Sequence, residues 1–311
     1  MRAVRCSGAG VEVTDVVAPS GPGVRVRVRS AGICGSDVEM VRLGLATVTI
    51  GHEVAGVLDD GTPVAVHPFT PCGACEECRT GRSHLCRTVV SSMLGAGRDG
   101  GMSDELIVDP SMVVPLPDRV GVWDASLVEP LAVALHACHR GAVGPGLRVG
   151  VVGAGTIGLA CAAVARHLGA DAVISARHPH QARAAEALGV RVGDDRDCDV
   201  VIDAAGTASG FDAATARCRR AGTLVLASTT WEPITVSFFR AQMREITLVP
   251  AFVYGEAHGE PEFTTASRIL ADHPEIPEAL ITHRFGLDEA ARAFAVAADR
   301  AAGAIKVVLH P

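Results

Sequence analysis

Polar and apolar positions alternate one by one in residues 24–29, VRVRVR, so the valines share one face and Arg25, Arg27 and Arg29 the other. A period of two is a half-buried strand, here with a solvated arginine face. Short β-type runs punctuated by glycine and proline continue to about residue 67 and return between 91 and 117, where Asp99, Gly100 and Gly101 form a tight loop. This predicts an all-β beginning. The pattern then changes. Residues 123–146, WDASLVEPLAVALHACHRGAVGPG, read as a helical run broken by Pro130 and stopped by Gly-Pro-Gly. From residue 147 buried-type strands alternate with helical segments, with strands at 147–152, 172–176, 199–206 and 222–228 and more strand in 245–255. Such alternation predicts an α/β fold with a parallel, doubly wound sheet. The tail predicts a helix from 287 to about 301 and a last strand, 304–309, that rejoins the β-rich part.

Three stretches carry candidate chemistry. Residues 34–53 open with Cys34, Ser36 and Asp37 and close on His52 and Glu53. Thiolate, imidazole and carboxylate are zinc ligands, and a catalytic zinc takes three protein ligands while keeping one position open. Cys34 and His52 supply two; Glu129, a carboxylate in the apolar run before Pro130, is the candidate for the third. A buried carboxylate needs a partner, which a metal or a helix N-terminus provides. Second, Cys72, Cys75, Cys78 and Cys86 stand in the spacing C-x2-C-x2-C-x7-C. Four thiolates so close suit a closed, structural zinc site, with an iron–sulfur cluster as the rival. Third, the strand ending at Val152 runs into GAGTIG, with Gly153, Gly155 and Gly158 around Thr156 and Ile157, and then into a helix. In that setting G-x-G-x-x-G makes the tight turn, lets backbone approach a pyrophosphate and packs helix on strand. The helix N-terminus faces the phosphates. At the end of the next strand, where an NAD site places an acid, the chain reads Ser175, Ala176, Arg177, His178. A cationic, hydroxyl-bearing end suits the 2′-phosphate of NADP, with NAD as the alternative.

Composition narrows the partners. The chain has 311 residues, 48% hydrophobic, with a net charge of −7. It therefore has room for two domains and lacks the basic field that holds nucleic acid or anionic lipid. Aromatics are 4%, too few for a base-stacking surface. No apolar run reaches membrane-spanning length and the N-terminus shows no signal-peptide core, so a cytoplasmic protein is expected. Ten cysteines in that setting point to metal ligation or reduced thiols.

The motifs AGICGSD, GHEVAGV, CGACEECRTGRSHLC, EPLAVALHA, VGVVGAGTIGLACAAVA and ITHRFGLDEAARAF…GAIKVVL run through nearly the whole chain. Together they resemble the zinc-dependent medium-chain dehydrogenase/reductase family, in the sorbitol and threonine dehydrogenase branch. The resemblance implies a GroES-like catalytic domain, residues 1–120 and 257–311, around a Rossmann domain, residues 121–256. It implies a homodimer or homotetramer assembled through the cofactor domains, and hydride transfer between NAD(P) and a secondary alcohol or ketone such as a polyol, an amino sugar or a natural-product intermediate. Carried over by position, Cys34, His52 and Glu129 hold a catalytic zinc and Glu53 enters its shell transiently. Asp37 orients His52, Ser36 passes the alcohol proton, and Cys72, Cys75, Cys78 and Cys86 hold a structural zinc. Where many relatives end the proton relay on a histidine, this chain has Glu39. The segment between Cys34 and His52 is also short. The rival readings are a reductase of a conjugated or imine carbon and a non-catalytic dinucleotide-binding sensor.

Overall fold

The computed structural model describes residues 1–8, 10–299 and 301–311. It divides into two compact units, residues 1–129, 258–272 and 281–311 on one side and 130–257 and 273–280 on the other. The first division falls after Glu129 rather than near residue 120. The short stretch 273–280 goes with the second unit, where Ile276, Ala279 and Leu280 are buried, instead of with the rest of the tail.

In the first unit a hairpin, β1 (Arg2–Ser7) and β2 (Gly10–Asp15), accompanies a larger sheet. Its centre is β3 (Val24–Ile33). The alternation read in the sequence holds: Val26 and Val28 are buried, while Arg25 pairs with Glu105 and Arg27 with Asp59 across 2.9 Å. Each fully buried valine contributes about 1.5–3 kcal/mol of apolar burial. β3 is flanked by β4 (Glu53–Val57) and by the strand Lys306–His310, which is the return of the chain's tail that the sequence predicts. β5 (Pro63–Val66), β6 (Glu105–Val108), β7 (Val113–Pro115) and the strand Ile281–Gly286 complete the sheet. The helix expected from 287 is a 3-10 turn, Leu287–Glu289, leading into Ala290–Ala298. Pro130 does not break its helix. The helix runs Val128–Arg140 and the proline sits in the first turn, where its missing N–H costs nothing.

The second unit is a six-stranded parallel sheet in the order β10 (Arg191–Val192), β9 (Asp171–Ser175), β8 (Arg148–Val152), β11 (Cys198–Asp203), β12 (Cys218–Leu226), β13 (Thr247–Pro250). This is the 3-2-1-4-5-6 order of a dinucleotide fold, with its topological switch between β8 and β11.

Candidate active site

Register builds the first site. Gly32 of β3 pairs with Glu53 of β4, and Ile33 pairs with Val307 on the opposite side. One residue further, Cys34 caps the helix Gly35–Arg42, and His52 stands immediately before β4. Residues far apart in sequence are thereby gathered at one end of β3. The ligand atoms of Cys34, His52 and Glu53 lie within 4.8 Å of one another. Asp37, fully buried, accepts a hydrogen bond from the Cys34 N–H at 2.9 Å with one carboxylate oxygen. Its other oxygen lies 3.3 Å from His52 Nδ1. With Nδ1 turned to Asp37, His52 has Nε2 left as a ligand nitrogen, the arrangement that orients metal-bound imidazoles. Burial works against a charged His52, but Asp37 and then Cys34 outweigh it and raise its pKa well above the ordinary value.

Glu129 does not belong to that tight group; Glu53 takes its place there. It lies in the first turn of its helix and is buried. Burial pushes its pKa up to about 7, with His52 and Lys306 pulling it down and Glu53 and Asp37 pushing it up. A buried carboxylate so poorly compensated by its surroundings is a donor that a divalent cation would stabilise. The donor set therefore fits zinc: a thiolate, an oriented imidazole and two carboxylates.

Lys306 is the site residue that sequence reasoning missed. It is a fully buried lysine on the strand beside β3, with Nζ 2.7 Å from each oxygen of Glu53 and 3.0 Å from Ile33 O. The signal was present in GAIKVVL, a single charge inside an apolar strand, which has to find a buried partner. Ser36 is half-buried in the first turn of its helix. Glu39 is engaged elsewhere, accepting from Arg42 Nε at 2.7 Å on the same helix.

The four cysteines of the loop 72–86 also converge, with ligand atoms within 4.8 Å of one another. Cys75 Sγ lies 3.4 Å from Cys78 Sγ and 3.7 Å from Cys86 Sγ. Tetrahedral zinc with Zn–S near 2.3 Å requires sulfurs about 3.8 Å apart, and a disulfide only about 2 Å. Gly73, at φ 69°, takes the left-handed conformation that turns the chain between the first two ligands. The Cys72 N–H donates to Cys86 Sγ and, with Thr88, pulls that thiol down to about 5. The set suits a structural zinc.

In the second unit β8 leads through Gly153 and Gly155 into the helix Thr156–His167, with Ile157 in its first turn. Gly153 has φ 97°, and a Cβ there would meet Ala205 N at 2.9 Å. A Cβ at Gly158 would meet Gly153 O at 1.7 Å, so helix and turn touch only through glycine. At Gly155 nothing lies within 4 Å of a Cβ, which leaves the open approach a pyrophosphate needs. At the end of β9, Arg177 and His178 are exposed, and their backbone N–H groups donate to Gln181 Oε1 at 3.1 and 3.2 Å. The Ser175 hydroxyl is not available as expected. It donates to Asp194 Oδ1 at 2.7 Å and accepts from the buried Arg217. Asp194 comes from the loop after β10, so adjacency in the sequence could not reveal it.

Residues 21–118 match the family model of the alcohol dehydrogenase GroES-like domain. Sorbitol dehydrogenase of Arabidopsis thaliana is 30% identical over 92% of this chain and 88% of its own length. A protein of Sinorhizobium meliloti 1021, classed provisionally as a zinc-binding dehydrogenase and bound to NADP, superposes with a TM-score of 0.88 at 28% identity, covering 100% of this chain and 99% of that one. Galactitol-1-phosphate dehydrogenase of Escherichia coli does so at 0.88 and 27%, covering 100% of both.

Proposed function

The chain belongs to the zinc-dependent medium-chain dehydrogenase/reductase family, in its sorbitol/threonine dehydrogenase-like branch, and from that premise we propose how its residues divide the work. It is an NAD(P)-dependent oxidoreductase of alcohols and ketones. Cys34, His52 and Glu129 would hold a catalytic zinc, and Cys72, Cys75, Cys78 and Cys86 a structural one. The observation that carries this reading is the convergence of Cys34 and His52 over the buried Asp37, with Glu129 buried and poorly compensated nearby. Bound zinc supplies Lewis-acid activation of the substrate oxygen, lowering the pKa of an alcohol.

The protein's own groups do the rest. Asp37 fixes the imidazole of His52. The Ser36 hydroxyl takes the alcohol proton and hands it to solvent, since Glu39 is held by Arg42. The GAGTIG turn and its helix N-terminus would hold the pyrophosphate of a nicotinamide cofactor, whose ring would supply the hydride-accepting chemistry. Arg177, exposed at the end of β9, would read a 2′-phosphate, which makes NADP(H) the favoured cofactor; the alternative, NAD(H), is supported by Asp194, a carboxylate hydrogen-bonded to Ser175.

The substrate is a small secondary alcohol or its ketone, of the polyol kind that the similar sorbitol and galactitol-1-phosphate dehydrogenases are named for. The enzyme works as a homo-oligomer in the cytoplasm. Supporting the first are exposed Phe238, Phe239, Met243 and Phe252 near β13, the last strand of its sheet. Supporting the second are ten free cysteines. No helix among the described residues is long and apolar enough to cross a membrane. The test is a panel of polyols, amino alcohols and simple secondary alcohols with NADP and with NAD, followed by nicotinamide absorbance. Zinc-dependent, chelator-sensitive reduction of the cofactor by at least one secondary alcohol is expected. Turnover that survives removal of all zinc would overturn the reading.

A further inference from the structure

The ion pair between Glu53 and Lys306 does more than neutralise charge. Pairing across β3 places Glu53, Gly32, Cys34 and Lys306 on one face of the sheet, since Gly32 is opposite both Glu53 and Val308 and the other two lie two residues away from this row. Gly32 leaves an empty position between β4 and the strand Lys306–His310, and Glu53 reaches through it. A Cβ at Gly32 would stand 2.0 Å from Glu53 Oε2 and 3.1 Å from Glu53 Cβ. On the far side Lys306 Nζ is saturated, with its three donors matched by two carboxylate oxygens at 2.7 Å and Ile33 O at 3.0 Å. Glu53 is nonetheless within 4.8 Å of the ligand atoms of Cys34 and His52. A buried carboxylate at that range, if released, would be drawn to a divalent cation. A fourth protein donor turns an open zinc site into a closed one.

We propose that Lys306 and the gap at Gly32 form a latch that holds the Glu53 carboxylate away from the catalytic metal and so keeps one coordination position open for substrate. Lys306 is a positioning residue: it acts on the metal only through Glu53. Gly32 is the permissive partner, because any side chain there would collide with the carboxylate in its place on the lysine. The inference rests on the ligand set proposed above, with Glu129 as the third protein donor.

The test uses the whole chain loaded with Co²⁺ in place of zinc. The difference spectrum against Cys34→Ser isolates the thiolate–cobalt bands of this site from those of the four-cysteine loop. Wild-type bands shift when azide or imidazole is titrated in. In Lys306→Met the same shift requires at least about tenfold more ligand, the scale on which outer-shell partners move metal sites. The double variant Glu53→Gln/Lys306→Met regains the wild-type titration, which a merely structural role for the lysine does not explain. Gly32→Ala, which keeps both charges, moves in the same direction as Lys306→Met and carries the test if that variant does not fold. An unchanged titration in the folded variants, or loss of cobalt from them, overturns the latch while leaving the ligand set intact. A wild-type chain with no Cys34-dependent band overturns both.

Discussion

The loop 72–86 and the neighbourhood of Cys34 both gather metal-binding side chains, but from different distances along the chain and for different ends. The loop draws four like donors from one short stretch, and its own backbone N–H groups settle the sulfurs. Cys72 is exposed, and no carboxylate stands among the ligands. Cys34 is met by His52, just before β4, and by Glu53 at its start, with Lys306 of the tail holding Glu53 and Glu129 buried at a helix start outside the tight group. Most of these groups are buried; Asp37 orients His52 and Lys306 holds Glu53, while Glu129 has no such partner among the described contacts. A closed site needs only enough donors at the right spacing. An open site needs donors plus a device that keeps surplus donors away, and the latch proposed above would meet that need through β-sheet register.

The comparison can be broken at its largest effect first. His52→Ala removes the imidazole donor, leaves Glu53 held by Lys306 and leaves Asp37 buried without its imidazole. Turnover falls by at least about 10³-fold, the loss expected when several kcal/mol of Lewis-acid stabilisation disappear. Circular dichroism of the variant stays native. Cys86→Ser acts on the other site. The apparent midpoint of thermal unfolding falls by at least about 5 °C, as loss of a metal with folding-scale energy requires. Turnover measured well below that midpoint is lowered far less than in His52→Ala. If Cys86→Ser abolishes turnover while unfolding is unchanged, the roles of the two sites are reversed. Arg177→Asp touches neither. It shifts the ratio of kcat/KM for NADP over NAD by roughly ten- to a hundredfold towards NAD, the worth of one charge-assisted contact. A ratio that stays put assigns the choice to other groups, with Asp194 the first to examine by Asp194→Asn.

The same contrast explains what could be read from the sequence. The loop was legible because its ligands are local: C-x2-C-x2-C-x7-C states its geometry in its spacing. So was the turn after β8, where Gly153 and Gly158 answer steric demands and Gly155 leaves space, all in a stretch of six residues. The doubly wound sheet followed from alternation, and the valines of β3 from period two. What depends on pairing across the sheet was less visible. Whether Glu53 or Glu129 stands nearest Cys34 is decided by the β3–β4 register and by a helix start, not by spacing. Lys306 is hard to single out in the sequence because the apolar strand around it dominates its segment. Pro130 reads as a break in the sequence because its effect depends on its place in the first turn, and that place is set by the 3-10 turn Ala125–Leu127 before it. The partners of the Ser175 hydroxyl are invisible in its own segment, because Asp194 comes from the loop after β10 and Arg217 from the end of the helix before β12.

The central claim is that this chain carries two metal sites of different kind, one assembled by a loop and one by the end of β3. Native mass spectrometry of the zinc-loaded chain measures it directly, counting metal ions in the wild type and in His52→Ala. Two zincs in the wild type and one, retained by the four thiols, in the variant are the expected counts. A single zinc in the wild type, or two in the variant, would contradict the account.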